Sequence, residues 1–191
     1  AACKAGSVTL SAGDDMRVLT PDQGERTLSE GWSVETLGGA QAFLDFSDRS
    51  PGSDHLGPTV TLEGGTRLAV REVRKPRFRW GRSPRRVVLT AGPATDQPAA
   101  LSIGTPWDDT VVSVETAQGR VDLAPESRAR LEFRRPAGAG ASAGEGVGGR
   151  AGATGASALR VLAAEGVVTV TNASGTAVLA AGSRAEVARG A

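Results

Sequence analysis

The 191-residue sequence predicts an all-β fold, built from repeated short antiparallel strands and hairpins that form a sandwich, roll or solenoid-like domain. Three observations predict it. Apolar and polar residues alternate with period two, while helical periodicity is almost absent. Val, Leu and Ala dominate the apolar set, and 26 Gly and 10 Pro break it at short intervals. A nine-residue frame also recurs three times along the chain.

The alternation marks the strands. Phe43-Leu44-Asp45-Phe46, Val60-Thr61-Leu62 and Leu68-Ala69-Val70 read as strands, as does Val111-Val112-Ser113-Val114. Arg120-Val121-Asp122-Leu123, Leu131-Glu132-Phe133 and Val167-Val168-Thr169-Val170 follow. The frame itself is Leu62-Glu63-Gly64-Gly65-Thr66-Arg67-Leu68-Ala69-Val70. It returns as Leu123-Ala124-Pro125-Glu126-Ser127-Arg128-Ala129-Arg130-Leu131 and as Leu179-Ala180-Ala181-Gly182-Ser183-Arg184-Ala185-Glu186-Val187. Each copy reads as a strand, a tight turn and a second strand, with Gly65 and Gly182 able to take a positive φ. Arg67, Arg128 and Arg184 fall just after the turn, where the stem covers apolar surface and the head meets carbonyls or water, so their expected role is structural.

Two segments break the pattern. Residues 136–157 are almost only Gly and Ala and cannot bury enough apolar area to offset their ordering entropy, which predicts a disordered loop inside the domain. Leu159 to Val187 then return to complete the sheet. A second insertion, 49–58, carries the only histidine, His55. The expected organisation is a lead-in segment, 1–13, and one all-β domain, 14–191.

Composition excludes several function classes. With 22 basic and 21 acidic residues the net charge is +1, so no global field draws the chain onto nucleic acid. One cysteine, Cys3, allows no internal disulfide. Ala1-Ala2-Cys3 matches what lipoprotein cleavage leaves; the alternative is an incidental thiol in a frayed terminus. No apolar run is long enough to span a bilayer, so a membrane anchor, if there is one, lies outside this chain.

No set of catalytic residues emerges, and neither a cofactor nor a metal is expected. Gly140-Ala141-Ser142-Ala143-Gly144 fits a nucleophile elbow, and Gly144, Gly146 and Gly149 fit a dinucleotide fingerprint. Both lie in the Gly/Ala loop, without the strand and helix such motifs need. One Cys and one His cannot supply a structural zinc set. Asp14-Asp15, Asp45 with Asp48, and Asp108-Asp109 lack the alternating acidic spacing of a calcium loop and read as turn carboxylates. Asn172-Ala173-Ser174 is a short glycosylation pattern of little weight. Trp32 and Trp107 flank strands or turns and read as core or corner residues.

The unusual feature is Arg74 to Arg86, where seven of thirteen residues are basic and Phe78 and Trp80 are interleaved. Arg77, Arg79, Trp80, Arg82, Arg85 and Arg86 form a candidate interaction surface, suited to an anionic glycan or lipid. An edge strand with Phe78 and Trp80 inward and Arg77 and Arg79 outward explains the same residues structurally.

The repeat frame resembles the FecR-like domain, named for the iron-dicitrate sensor of bacterial membranes. The stretch Leu28-Ser29-Glu30-Gly31-Trp32-Ser33-Val34-Glu35-Thr36 opens the likeness. Ala42-Phe43-Leu44-Asp45-Phe46-Ser47-Asp48-Arg49-Ser50 is similar to the family's A-x-L-x-F-x-D-G-S turn, with Arg49 in place of Gly. Gly65 to Val70, Val112 to Val121, and Gly166 to Val170 with Leu179, Gly182 and Arg184 resemble its later units. The likeness spans most of residues 14–189. It implies a non-enzymatic extracytoplasmic sensor or adaptor, periplasmic or at the cell surface, anchored by a segment not in this chain. It implies docking to another envelope or membrane protein, by strand addition at an exposed edge, and a signal passed toward a transmembrane anti-sigma regulator. The rival expectation is a surface module binding an anionic glycan or lipid through residues 74–86.

Overall fold

Strands that alternate apolar and polar residues have one apolar face each, and that face must be covered. The computed structural model describes residues 1–47, 56–74, 86–95, 97–106, 110–134 and 158–188. Sixteen strands among them build two sheets that cover each other. They are β1 (Ala2–Ala5), β2 (Val8–Ala12), β3 (Asp15–Leu19), β4 (Ser33–Thr36), β5 (Gln41–Asp45), β6 (Thr59–Glu63), β7 (Thr66–Arg74) and β8 (Arg86–Pro93). Then come β9 (Ala99–Gly104), β10 (Val111–Thr116), β11 (Gly119–Leu123), β12 (Arg128–Arg134), β13 (Ala158–Glu165), β14 (Val167–Asn172), β15 (Gly175–Ala180) and β16 (Arg184–Val187). The seven-stranded sheet runs β1-β5-β6-β9-β12-β13-β16, and the nine-stranded sheet runs β15-β14-β11-β10-β8-β7-β4-β2-β3.

The core consists of rows of facing apolar residues. In the smaller sheet one row runs Ala42, Leu62, Leu101, Leu131, Val161 and Ala185 through successive pairings. In the larger sheet Val70, Leu89, Val114, Val121, Val170 and Ala177 form the matching row. Each wholly buried Leu or Val in such a row contributes about 1.5–3 kcal/mol.

The chain builds this sandwich by crossing between sheets. Hairpins β5–β6 and β12–β13 lie in the smaller sheet, and β2–β3, β7–β8, β10–β11 and β14–β15 in the larger. Two strands laid in one sheet reverse the chain, so it re-enters the other sheet antiparallel to its last strand there. β9 is laid alone, so β8 and β10 pair in parallel, the one departure from the expected antiparallel pattern. The same single strand moves later hairpin turns to the opposite end of the sandwich.

The expected strands are all present, and the strands from Leu159 to Val187 do complete both sheets. The lead-in reading of residues 1–13 does not hold. β1 pairs with β5 and β2 with β4, so both sheets include this segment. The run Val8-Thr9-Leu10-Ser11 alternates as the other strands do, and pairing with β3 and β4 fixes it in the larger sheet. Cys3 is accordingly not in a frayed end: its side chain is buried, with Sγ 3.4 Å from the Gly6 carbonyl. The Gly/Ala segment 136–157 and His55 lie outside the described residues.

The repeated frame turns out to be a sheet crossing. Its Ser or Thr is the part that matters. Thr66, at the β6–β7 crossing, is fully buried and aims Oγ1 at the carbonyls of Glu63 (2.7 Å) and Ala100 (3.0 Å). Its N–H donates to Thr36 Oγ1 (3.2 Å), from the neighbouring β4–β5 crossing. Ser127, at the β11–β12 crossing, is equally buried and accepts from Val167 N–H (3.0 Å). Its own N–H donates to Thr105 Oγ1 (2.8 Å), from the β9–β10 crossing. These hydroxyls supply partners to main-chain groups that leave the ladders where the chain changes sheets.

In the first copy Gly64, not Gly65, takes the positive φ (46°). Glu126 takes it in the second (57°) and Gly182 in the third (82°). Arg67, Arg128 and Arg184 are exposed, and Arg128 pairs with Glu165 at 3.3 Å.

Thr66→Val keeps the shape but removes the hydroxyl hydrogen that the partly buried Glu63 and Ala100 carbonyls share, so it should cost about 1–3 kcal/mol in urea unfolding. Arg67→Ser in the next position should stay within about 0.5 kcal/mol. Equal costs would show that the hydroxyl does not hold the crossing. Glu126→Gly should stabilise by about 1 kcal/mol, because an exposed non-glycine residue with positive φ is strained; a loss of stability would refute that account.

Candidate functional site

The arginine-rich surface read from sequence falls mostly outside the described residues: Arg77, Arg79, Trp80, Arg82 and Arg85 are not among them. Arg86 is the first residue of β8, exposed, and faces Arg74 across the hairpin. Arg74 is ion-paired to Glu72. β7 and β8 are interior strands of the larger sheet, and Phe78 and Trp80, which the structural alternative turns inward, lie outside the described residues.

Several of the carboxylates are engaged. Asp15 pairs with Arg17 at 2.7 Å, and Arg17 lies over the half-buried Trp32 ring, 5.7 Å from its centroid. Trp32 thus packs against the core as expected, while Trp107, Asp48, Asp108 and Asp109 lie outside the described residues. Asp45 accepts from Ser47 N–H at 2.9 Å. Among the described residues no three His, Cys, Asp or Glu side chains gather as a metal site.

On the outer face of the smaller sheet, Arg130 of β12 reaches across β9. It makes a two-pronged contact to Glu63 of β6 (3.1 and 2.6 Å) and a further one to Glu132 (3.3 Å). The hydrogen bond from Arg130 holds the Glu63 carboxyl below its ordinary range, partial burial opposes this, and the Arg130 charge adds to it. Two carboxylates clamped by one guanidinium are poor candidates for a hydrolytic acid–base pair.

A cleft of about 1020 Å³ opens between β1, β5, β7 and the connection from β3 to β4. Leu28, Leu44, Phe46, Val70 and Val73 form its floor, and Glu25, Arg26, Glu30 and Asp45 stand at its rim. Glu30 accepts the Val73 N–H at 2.7 Å, so the rim is partly built to hold that connection in place.

The two ends of the sandwich differ. At one end the β3–β4 connection caps β1: Ala1 and Arg26 exchange main-chain hydrogen bonds of 2.6 and 2.8 Å, and Ala2 bridges Glu25. The edge strand there, β3, carries Asp15 and Arg17, charges that guard an edge. At the other end the edges are β15 and β16. β15 reads Gly-Thr-Ala-Val-Leu-Ala, with neither charge nor Pro, and Val178 is 69% exposed. The core row of the larger sheet reaches Ala177 on β15, which is exposed although it sits on the inner face. Ser183, the third copy of the buried hydroxyl, is exposed too, and its hydroxyl makes no hydrogen bond among the described residues. Thr66 and Ser127 each have another crossing stacked on them; among the described residues Ser183 has none.

This open end was missed in sequence. The signal that could have found it is the lack of charge over residues 175–180, directly before the third frame.

Removing the Arg130 clamp predicts a pH effect. A carboxyl with a lowered folded pKa adds stability above the ordinary Glu range, and loses it as pH falls through that range. Glu63→Gln should therefore lower stability at pH 7 and flatten its decline below about pH 5. Parallel acid-side profiles of the two proteins would remove Glu63 from the acid response.

No family model and no curated protein sequence matches the chain.

Proposed function

We propose that this chain is a non-enzymatic sensor or adaptor module of the FecR-like kind. It works on the extracytoplasmic side of a bacterial membrane, periplasmic or at the cell surface. It docks to another envelope or membrane protein and so relays a signal toward a transmembrane anti-sigma regulator.

The observation that carries this reading is the open β15–β16 end. A sheet edge offers unpaired N–H and C=O groups, which an extended segment of a partner can take up as an added strand. Natural edges are blunted by charge, Pro or a covering segment, as β3 and β1 are here. β15 has none of these devices among the described residues. The ion-paired carboxylates favour docking over catalysis. The repeat that carries the family likeness is the crossing unit itself, so likeness and architecture rest on the same residues.

The anionic-ligand alternative draws no support from the described part of the basic stretch, where Arg86 lies beside Arg74 and Arg74 beside Glu72.

A photo-crosslinking residue placed at position 178, and in a control at outer-face position 61, tests the docking reading in the native envelope. A discrete protein adduct from 178 and none from 61 is expected. Equal labelling from both positions, or none from 178, would overturn strand docking at this end.

A further inference from the structure

We propose that the protein which docks on the open end is a second copy of this chain, related by a two-fold axis perpendicular to both sheets. The inference rests on the reading of that end as a docking edge, and adds the identity of its occupant.

The geometry of the edge residues leads to it. Any strand can pair antiparallel with its own copy, and one axis normal to a sandwich does this for both edge strands when it passes through a centre on each. Facing residues must share a face, so the axis has to pass through a residue and not between two. Centred on Val178, β15 places Val178 against its own copy and Ala177 against Leu179. The exposed Val178 is then covered, and the core row that ends on the exposed Ala177 continues into the second molecule.

Charge complementarity comes from β16. Arg184 and Glu186 lie two residues apart, exposed, on its outer face, while Ala185 and Val187 turn inward. Neither makes an ion pair among the described residues, whereas Arg128, Arg130, Arg134 and Arg160 of the same sheet all do. Self-pairing centred on Ala185 sets Arg184 opposite Glu186 of the copy, and Glu186 opposite Arg184. Two symmetric pairs form from charges that the single chain leaves unused. β3 at the other end has the same spacing, Asp15 and Arg17 around the exposed Met16, but there the two charges already pair with each other at 2.7 Å, Arg17 also lies over Trp32, and the Ala1 main chain is held by Arg26. The net charge of +1 sets up little repulsion between copies.

Sedimentation equilibrium on the whole chain, from about 1 µM to about 1 mM, tests the proposal. A reversible dimer is expected. Val178→Lys should weaken it by at least about tenfold, since two like charges would face each other at the axis. Arg184→Glu should weaken it to a similar degree, by facing Glu186 of the copy with a like charge. The double variant Arg184→Glu with Glu186→Arg should restore the dimer to within about threefold, because the pairs re-form in reverse. All three substitutions are at exposed positions, and circular dichroism of each variant checks that the monomer is intact. A monomer throughout the range, or a dimer indifferent to Val178→Lys, overturns the proposal. Failure of self-pairing with a different protein crosslinked from position 178 leaves the docking reading standing. Absence of both removes the two together.

Discussion

The fold depends on what happens to the main chain where it leaves one sheet for the other. At a crossing the peptide groups lose their ladder partners while still close to the core, and a buried unpaired group is costly. Thr66 and Ser127 meet that need from within the crossing, and Thr36 and Thr105 meet it from the crossing stacked beside it. Thr66 and Ser127 each touch main chain from two passes between the sheets, and Thr36 and Thr105 each bond the main chain of one neighbouring pass. They bind successive passes together in the way that ladder hydrogen bonds bind successive strands. Gly166 shows how close the stacking is. Its φ is positive, and a side chain there would run into Ser127 Oγ and come within 2.6 Å of the Glu126 carbonyl oxygen.

Direction follows from counting strands between crossings. Pairs of strands keep the sheets antiparallel and keep the hairpin turns at one end. The lone β9 breaks this parity, makes β8 parallel to β10, and transfers the later turns to the other end. The strand ends that lead into 48–55 and 75–85 are therefore on the side of the Leu28–Val73 cleft. Those that lead into 135–157 are on the opposite side.

Much of this was legible in sequence, and the rest was hidden for definite reasons. Alternation marked β5 to β7, β10 to β12 and β14 because each has one buried face, and that face writes period two into the residues. The frame revealed the crossings as repeats, but not that its hydroxyl is the working part. The partners of that hydroxyl, Thr36 and Thr105, lie outside the frame, and a spatial pairing leaves no local mark. The arginine after it, more conspicuous, is exposed. β2 alternates as β5 and β6 do, but the partners that draw β1 and β2 into the sheets, β5 and β4, lie about 25 to 40 residues further along the chain and leave no local mark. The candidate surface at Arg77 to Arg86 drew notice for its composition, whereas the open end is inconspicuous because it is bland.

Blandness is itself informative at that position. Stacked-repeat architectures bury each unit's face against the next, and their ends need a polar cover. The β3–β4 connection supplies such a cover at one end, with the Ala1–Arg26 bonds, the Glu30–Val73 bond and the Asp15–Arg17 pair all placed there. The third frame has the same Leu, Ser and Arg as the buried second, with Ser183 and Ala177 in positions that elsewhere lie inside. Its residues are those of a unit with something stacked on it. A surface patterned like an interior, at the end of a molecule whose other end is capped, fits a face that is covered by protein when the chain is at work.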